Sequence, residues 1–450
     1  MRLVTNAMPA PFALAMLPML ALGCDTVSVL PDVSSADASA ADAGADVPPA
    51  DYFVLEGAEA DPGGDDLDPL VRIISDAEVI GIGEVLHTTG GQSAMRVRLM
   101  KRLIMEEGVR AIAVEAPRGN MSAPAFVGYV ARCEGSLEQA VQAFPPIWWD
   151  VSTAEFLHWV CAWNQSHADA QVDVYGFDIR QPWFDRPVAR AFFERRLPSM
   201  VALTDDLTRC FGGTFTSEEE FYTDPLTLSY YAGSPTPEAD HAPCISAVER
   251  SLAVVEAARP MLVAAAGERE VELARLALRS LGAFETSIYE LSRDRLETAN
   301  PPRDDAMADV FLTMRRLDGA RRTVLFAHNG HLERNSEQVI QGQFMGVRNM
   351  ATQIDVEVDY VAVGQLALRV NYAWYTPATH RFNMPDSLEP SLNDLGVPTL
   401  LLDVDATTLI PAETSFRVGF DVMVPSRHYD ALIFQQVSRA NDYFIPPPNL

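Results

Sequence analysis

The sequence predicts an α/β fold: an open, mostly parallel sheet flanked by helices, with a helical insertion packed beside it. Three observations lead there. Short Val/Ile-rich runs recur between helical patterns, as buried parallel strands do. The span between the first two runs carries the signature of a crossover helix. The stretch from Cys244 to Leu317 carries helical periodicity and no strand signal.

Taken along the chain, the strand candidates are Ala77–Gly83 (AEVIGIG), Arg110–Glu115 (RAIAVE), Gln171–Phe177 (QVDVYGF), Arg322–Ala327 (RTVLFA) and Tyr360–Leu366 (YVAVGQL). Between the first two, Leu99, Met100, Leu103 and Ile104 fall at helical spacing, and Gly108 stands where a helix-ending glycine belongs. This reads as a βαβ unit. The helical stretch is rich in Ala, Glu, Arg and Leu, and Pro260 should kink or divide its first helix. It shows no fixed-period self-similarity, so a repeat array is not indicated. Phe211 to Pro243 is rich in Thr, Ser, Glu, Tyr and Pro, the composition of a long irregular segment serving as a lid or pocket wall.

The chain start is not expected to join the fold. Arg2 gives a short positive region, Pro11 to Leu22 is apolar but too short to span a bilayer, and Leu20-Ala21-Leu22-Gly23-Cys24 follows. This is the pattern of a bacterial lipoprotein signal, with acylation at Cys24; an ordinary signal peptide beside a chance cysteine is the other reading. Residues 24–51 are dominated by Ala, Asp, Ser, Val and Pro, which cannot bury enough apolar area to offset chain entropy, and read as a disordered tether. The expected plan is therefore a signal peptide at 1–23, the tether, a first catalytic part at 52–243, the insertion at 244–317 and a second catalytic part at 318–450. Localisation in the cell envelope, periplasmic or at the outer surface, follows, with the membrane touched only through the anchor.

Composition narrows the partners. With 48% hydrophobic and 21% charged residues, the body is globular. The 34 Lys plus Arg stand against 62 Asp plus Glu, a formal charge of -28, so nucleic acid is excluded on electrostatic grounds. Four of the 5 cysteines remain beyond Cys24, namely Cys133, Cys161, Cys210 and Cys244. They allow three pairings, or serve as buried apolar groups. No phosphate-binding loop, dinucleotide fingerprint or serine elbow occurs, so no cofactor is expected and serine hydrolase chemistry is disfavoured.

The chemistry lies at the strand ends. Glu84 and His87 follow the first run, Glu115 ends the second, Asp178 and Arg180 follow the third, and His328 and His331 follow the fourth. Parallel strands share one C-terminal edge, where ligands bind, so four segments converge there. Taken singly, such an acid is often a helix cap and such a histidine a structural one. Their convergence is more telling, since three of only 8 histidines are involved. Arg96 shares the inward face of the crossover helix with Leu99, Met100 and Leu103. Burial there demands a carboxylate, with Glu84 and Glu115 as candidates, unless the side chain snorkels to solvent.

These motifs together resemble the erythromycin esterase family. The resemblance runs from about Asp66 to Ala440, through GIGEVLH, RVRLMKRL, AVEAP, VYGFDIR, RDDAMAD, FAHNGHLER and HYDALIF. It implies a metal-independent hydrolase in which His87 is the general base on a water that attacks a macrolide lactone carbonyl. Glu84, Arg96, Glu115, Arg303, His328 and His331 occupy the family's other site positions. Glu84 or Glu115 would hold the imidazole, and Arg96, Arg303 or a protonated His328 or His331 would steady the oxyanion. A small-molecule ester or lactone is the implied partner. Thr88 stands where the family usually has glycine, and Pro117 where it commonly has aspartate. The alternative is a metal-dependent hydrolase, or a metal- or haem-binding lipoprotein, using the same His and Glu side chains as ligands.

Overall fold

The structure, a computed structural model, describes residues 51–213, 237–293, 296–342, 345–373 and 377–446. The signal segment, Cys24 and the tether up to residue 50 lie outside the described residues. So does 214–236, the greater part of the expected lid.

Its strands are β1 (Phe53–Val54), β2 (Val79–Glu84), β3 (Ala111–Pro117), β4 (Asp173–Asp178), β5 (Thr323–His328), β6 (Tyr360–Ala373), β7 (Pro377–Arg381), β8 (Thr399–Asp403), β9 (Phe416–Val418), β10 (Asp421–Met423) and β11 (Ala431–Ser438). All but β9 and β10, which form their own antiparallel ribbon, join one 9-stranded sheet in the order β1-β8-β11-β6-β2-β5-β3-β4, with β7 paired to β6. The run from β11 to β4 is parallel throughout, whereas β8, β1 and β7 add antiparallel edges. The expected mostly parallel sheet is thus present. Between β2 and β3, joined by the helix Gly90–Glu106, β5 is inserted.

Alternation along the strands feeds two apolar layers. On one face Ile80, Ile82, Ile112 and Val324 pack against Leu99, Leu103, Phe126 and Leu157. On the other, Ala113, Leu325 and Leu366 meet Leu276, Phe284, Phe311 and Ile354. The helix Glu268–Leu291 serves two cores, since Val271, Leu278 and Leu281 build a third cluster with Phe192, Phe193, Cys210 and Cys244. Over the predicted insertion lie the helices Pro237–Ala257, Arg259–Ala266, Glu268–Leu291 and Leu296–Leu317. Pro260 sits in the first turn of the second, where a missing N–H is harmless. Of the three cysteine pairings open in the sequence, the structure has Cys133–Cys161 and Cys210–Cys244.

Two backbone details shape the site edge. In the β3–β4 ladder Val114 pairs with Gly176 but Pro117 with Asp178, so β3 gains a residue around Glu115. Such an irregularity re-aims a side chain. Gly176 accommodates it, because a Cβ there would collide with the Ala116 carbonyl oxygen. Thr88, next to His87, has φ 65°, a left-handed conformation that is costly for a β-branched residue. Its hydroxyl is buried without a partner. Thr88→Gly is therefore expected to stabilise the fold by about 1 kcal/mol, read as a higher urea midpoint at unchanged slope. A lower midpoint would show that Thr88 carries no strain.

Candidate active site

The parallel register sets Glu84 directly beside His328 across β2 and β5. Glu84 is fully buried and makes three hydrogen bonds. Its Oε1 accepts the His87 Nδ1–H at 2.6 Å and the Trp148 Nε1–H at 3.2 Å, while Oε2 accepts from Arg96 at 3.0 Å. Burial pushes its carboxyl up, but the His87 hydrogen bond and the Arg96 charge outweigh that and hold it below the ordinary value.

With Nδ1 committed to Glu84, His87 turns Nε2 away from it. The side chain keeps 31% of its surface accessible. Burial favours the neutral ring. The hydrogen bond and charge of Glu84, helped by Glu115, win over burial and Arg180, and raise the imidazole above its ordinary pKa.

A second group is knit around Arg303. It donates to Glu115 Oε1 at 2.7 Å, to both oxygens of Asp178 at 3.2 Å, and to His331 Nε2 at 3.0 Å. His331 in turn donates from Nδ1 to Asp304 Oδ1 at 2.7 Å, which fixes its tautomer. Glu115 also accepts the His328 backbone N–H at 3.0 Å. Burial works against the Glu115 charge, yet His331, Arg303, His87 and Arg180 hold its carboxyl well below the usual range. Arg303 arrives on the helix Leu296–Leu317, so the insertion contributes a group to this centre as well as packing beside the sheet.

Three expectations change. Arg96 does not face the cleft: only 2% of its side chain is accessible, it lies over the Phe326 ring at 3.3 Å, and its carboxylate partner is Glu84. Its place behind that carboxylate suits orientation rather than oxyanion contact. Nor is His328 a cationic donor. Its Nε2–H donates to the Val85 carbonyl at 3.0 Å and Nδ1 accepts from the Gly330 N–H at 3.2 Å, so both nitrogens serve a neutral ring that burial pushes down to about 4. His331, only 6% accessible, is likewise turned to buried partners, with Nε2 beside Arg303 at 3.0 Å and Nδ1 beside Asp304 at 2.7 Å. What faces solvent instead is Arg180, 27% accessible, its Nε donating to Asp178 at 2.7 Å.

Sequence reasoning missed Asp304 and Trp148. Asp304 is buried beside Arg303 and also accepts the Met350 N–H at 3.0 Å; it lies in the RDDAMAD motif, of which only Arg303 was singled out. Trp148, fully buried, comes from the short turn Pro146–Trp148, and no strand end announces it. Among the described residues, no group of three or more His, Cys, Asp or Glu side chains is arranged to hold a metal. A cavity of about 300 Å³ lined by Arg98, Lys101 and Glu155 contains none of the groups above.

Residues 104–438 match the model of the family described as erythromycin esterase. Among solved structures, a mutant of the erythromycin esterase EreC in its open conformation superposes with a TM-score of 0.69 at 17% identity, covering 85% of this chain and 95% of its own. A protein from Bacillus cereus gives 0.68 at 15% identity, covering 88% and 97%. A succinoglycan biosynthesis protein gives 0.64 at 15%, covering 87% and 96%. At such identities the likenesses speak for the fold alone. No curated protein matches the chain.

Proposed function

Because the chain belongs to the erythromycin esterase family, hydrolases that act on esters, we propose that it opens an ester or lactone with a water activated by His87 and without a metal. The observation that carries this reading is the 2.6 Å bond from His87 Nδ1–H to buried Glu84, which leaves Nε2 as the basic nitrogen of a side chain that is 31% accessible. Nε2 takes a proton from water, the oxygen attacks the carbonyl carbon, and Glu84 steadies the imidazolium. The proton returns to the departing alkoxide oxygen. Arg180, the most accessible guanidinium of the centre, is placed to meet the developing oxyanion, while Arg303 fixes the acids around it.

Macrolide inactivation, and with it antibiotic resistance, is the finer form of this proposal. Acylation at Cys24 and residence in the cell envelope belong to it too. The Leu20 to Cys24 pattern and the composition of the tether support them, and two disulfides accord with an oxidising compartment. The test is to incubate purified protein with macrolides, simpler lactones and activated esters, and follow addition of water by mass spectrometry. Turnover of none of them would sink the reading.

The base must be neutral to act, so kcat/KM is expected to rise with pH to a plateau, its midpoint above the ordinary histidine value of about 6.5. By linkage, protonated His87 favours the folded state; that contribution is complete below the unfolded pKa and is lost as pH rises through the folded one. A flat profile, or a midpoint below that of free histidine, would contradict the assignment.

A further inference from the structure

We propose that Trp148 is a positioning residue that holds the Glu84 carboxylate, and through it His87, in the orientation in which Nε2 faces the substrate. The assignment rests on the reading of His87 as base, and the geometry around one oxygen argues for it. Glu84 Oε1 takes two donors, His87 Nδ1–H and Trp148 Nε1–H, while Oε2 is held by Arg96. A carboxylate gripped on both oxygens cannot turn about its terminal bond, so the direction in which it receives the imidazole is fixed. Trp148 acts a second time through its ring. It meets the His87 ring edge-on, with centroids 5.8 Å apart at 87°, and packs on its other side against Phe326, 4.7 Å away. Phe326 in turn lies beneath the Arg96 guanidinium at 3.3 Å. The indole, the phenyl ring, inclined to it by 53°, and the guanidinium thus form one chain of contacts beside the Glu84–His87 pair. The turn carrying Trp148 begins at Pro146 directly after Pro145, and their ring-limited φ lowers the entropy of holding it there.

The test uses the whole chain with Trp148→Phe, and with a benzothienyl-alanine at 148 that keeps the bicyclic shape but lacks the N–H. The readout is the ring NMR titration of His87, which needs no substrate. The other charged groups acting on this imidazole are Glu84 on β2, Glu115 on β3, and Arg180 after β4, with neutral His328 beside it at 5.4 Å between centroids; all are retained in both variants. Without the indole donor Glu84 is no longer held in one direction and its bond to the imidazolium weakens, so the His87 midpoint is expected to fall by about half a unit or more. The neutral ring is expected to lose its single tautomer. Where wild-type protein turns over an ester, kcat falls about tenfold with KM little changed. An unaltered midpoint and tautomer in the isosteric variant would overturn the proposal, even if Trp148→Phe merely weakened the fold. Absence of hydrolysis in wild-type protein would strike at the proposed function and leave this NMR result to stand on its own.

Discussion

His87→Ala is expected to lower kcat on any ester the wild-type chain hydrolyses by about a thousandfold, the middle of the range for a lost general base, while leaving the fold in place. The fold should survive because the substitution removes a partly accessible ring, and Glu84 keeps its bonds to Arg96 and Trp148. The comparison to make is steady-state turnover beside the urea unfolding midpoint. Near wild-type turnover would end the assignment of the base, and a large loss of stability would recast His87 as a structural residue.

The largest effect on stability is expected at Arg303. Its guanidinium, 12% accessible, is shared by Glu115 and Asp178, both buried. Arg303→Ala would take the guanidinium from buried Glu115 and leave Asp178 with Arg180 alone, and breaking a buried pair from one side costs about 3–5 kcal/mol. Arg303→Lys should recover only part of that, because an ammonium cannot reproduce the fork that reaches Glu115, Asp178 and His331 at once. Urea denaturation of the three proteins measures it, and an unchanged midpoint in the alanine variant would show that the two acids are neutralised in some other way.

The parts of the fold legible in the sequence were those whose signal is local. β2 to β5 and the first half of β6 are largely buried on both faces, so each reads as a short apolar run. β8 and β1 are short antiparallel additions, β1 only 2 residues long, and nothing in so short a stretch distinguishes strand from loop. β11 begins apolar at Ala431 but turns polar at Gln435, which hid its pairing with β6. The insertion of β5 between β2 and β3 is a matter of long-range pairing that periodicity does not record.

At the site, the residues placed by strand ends were legible because topology carries them to one edge. Their individual tasks were not. Arg96 lies in the second turn of its helix, where contact with Phe326 turns it behind Glu84; His328 spends both nitrogens on backbone groups, one of them Val85 from the end of another strand. Asp304 and Trp148 come from a helix interior and a short turn, and each matters through a partner remote in sequence, His331 and Glu84 respectively.

The Cys210–Cys244 bridge joins positions 34 residues apart in sequence and brings their Cα atoms to within 4.7 Å. Everything between them therefore leaves and returns at virtually one point on the body. A backbone cut anywhere between the two cysteines would thus leave both new chain ends covalently joined to the same body.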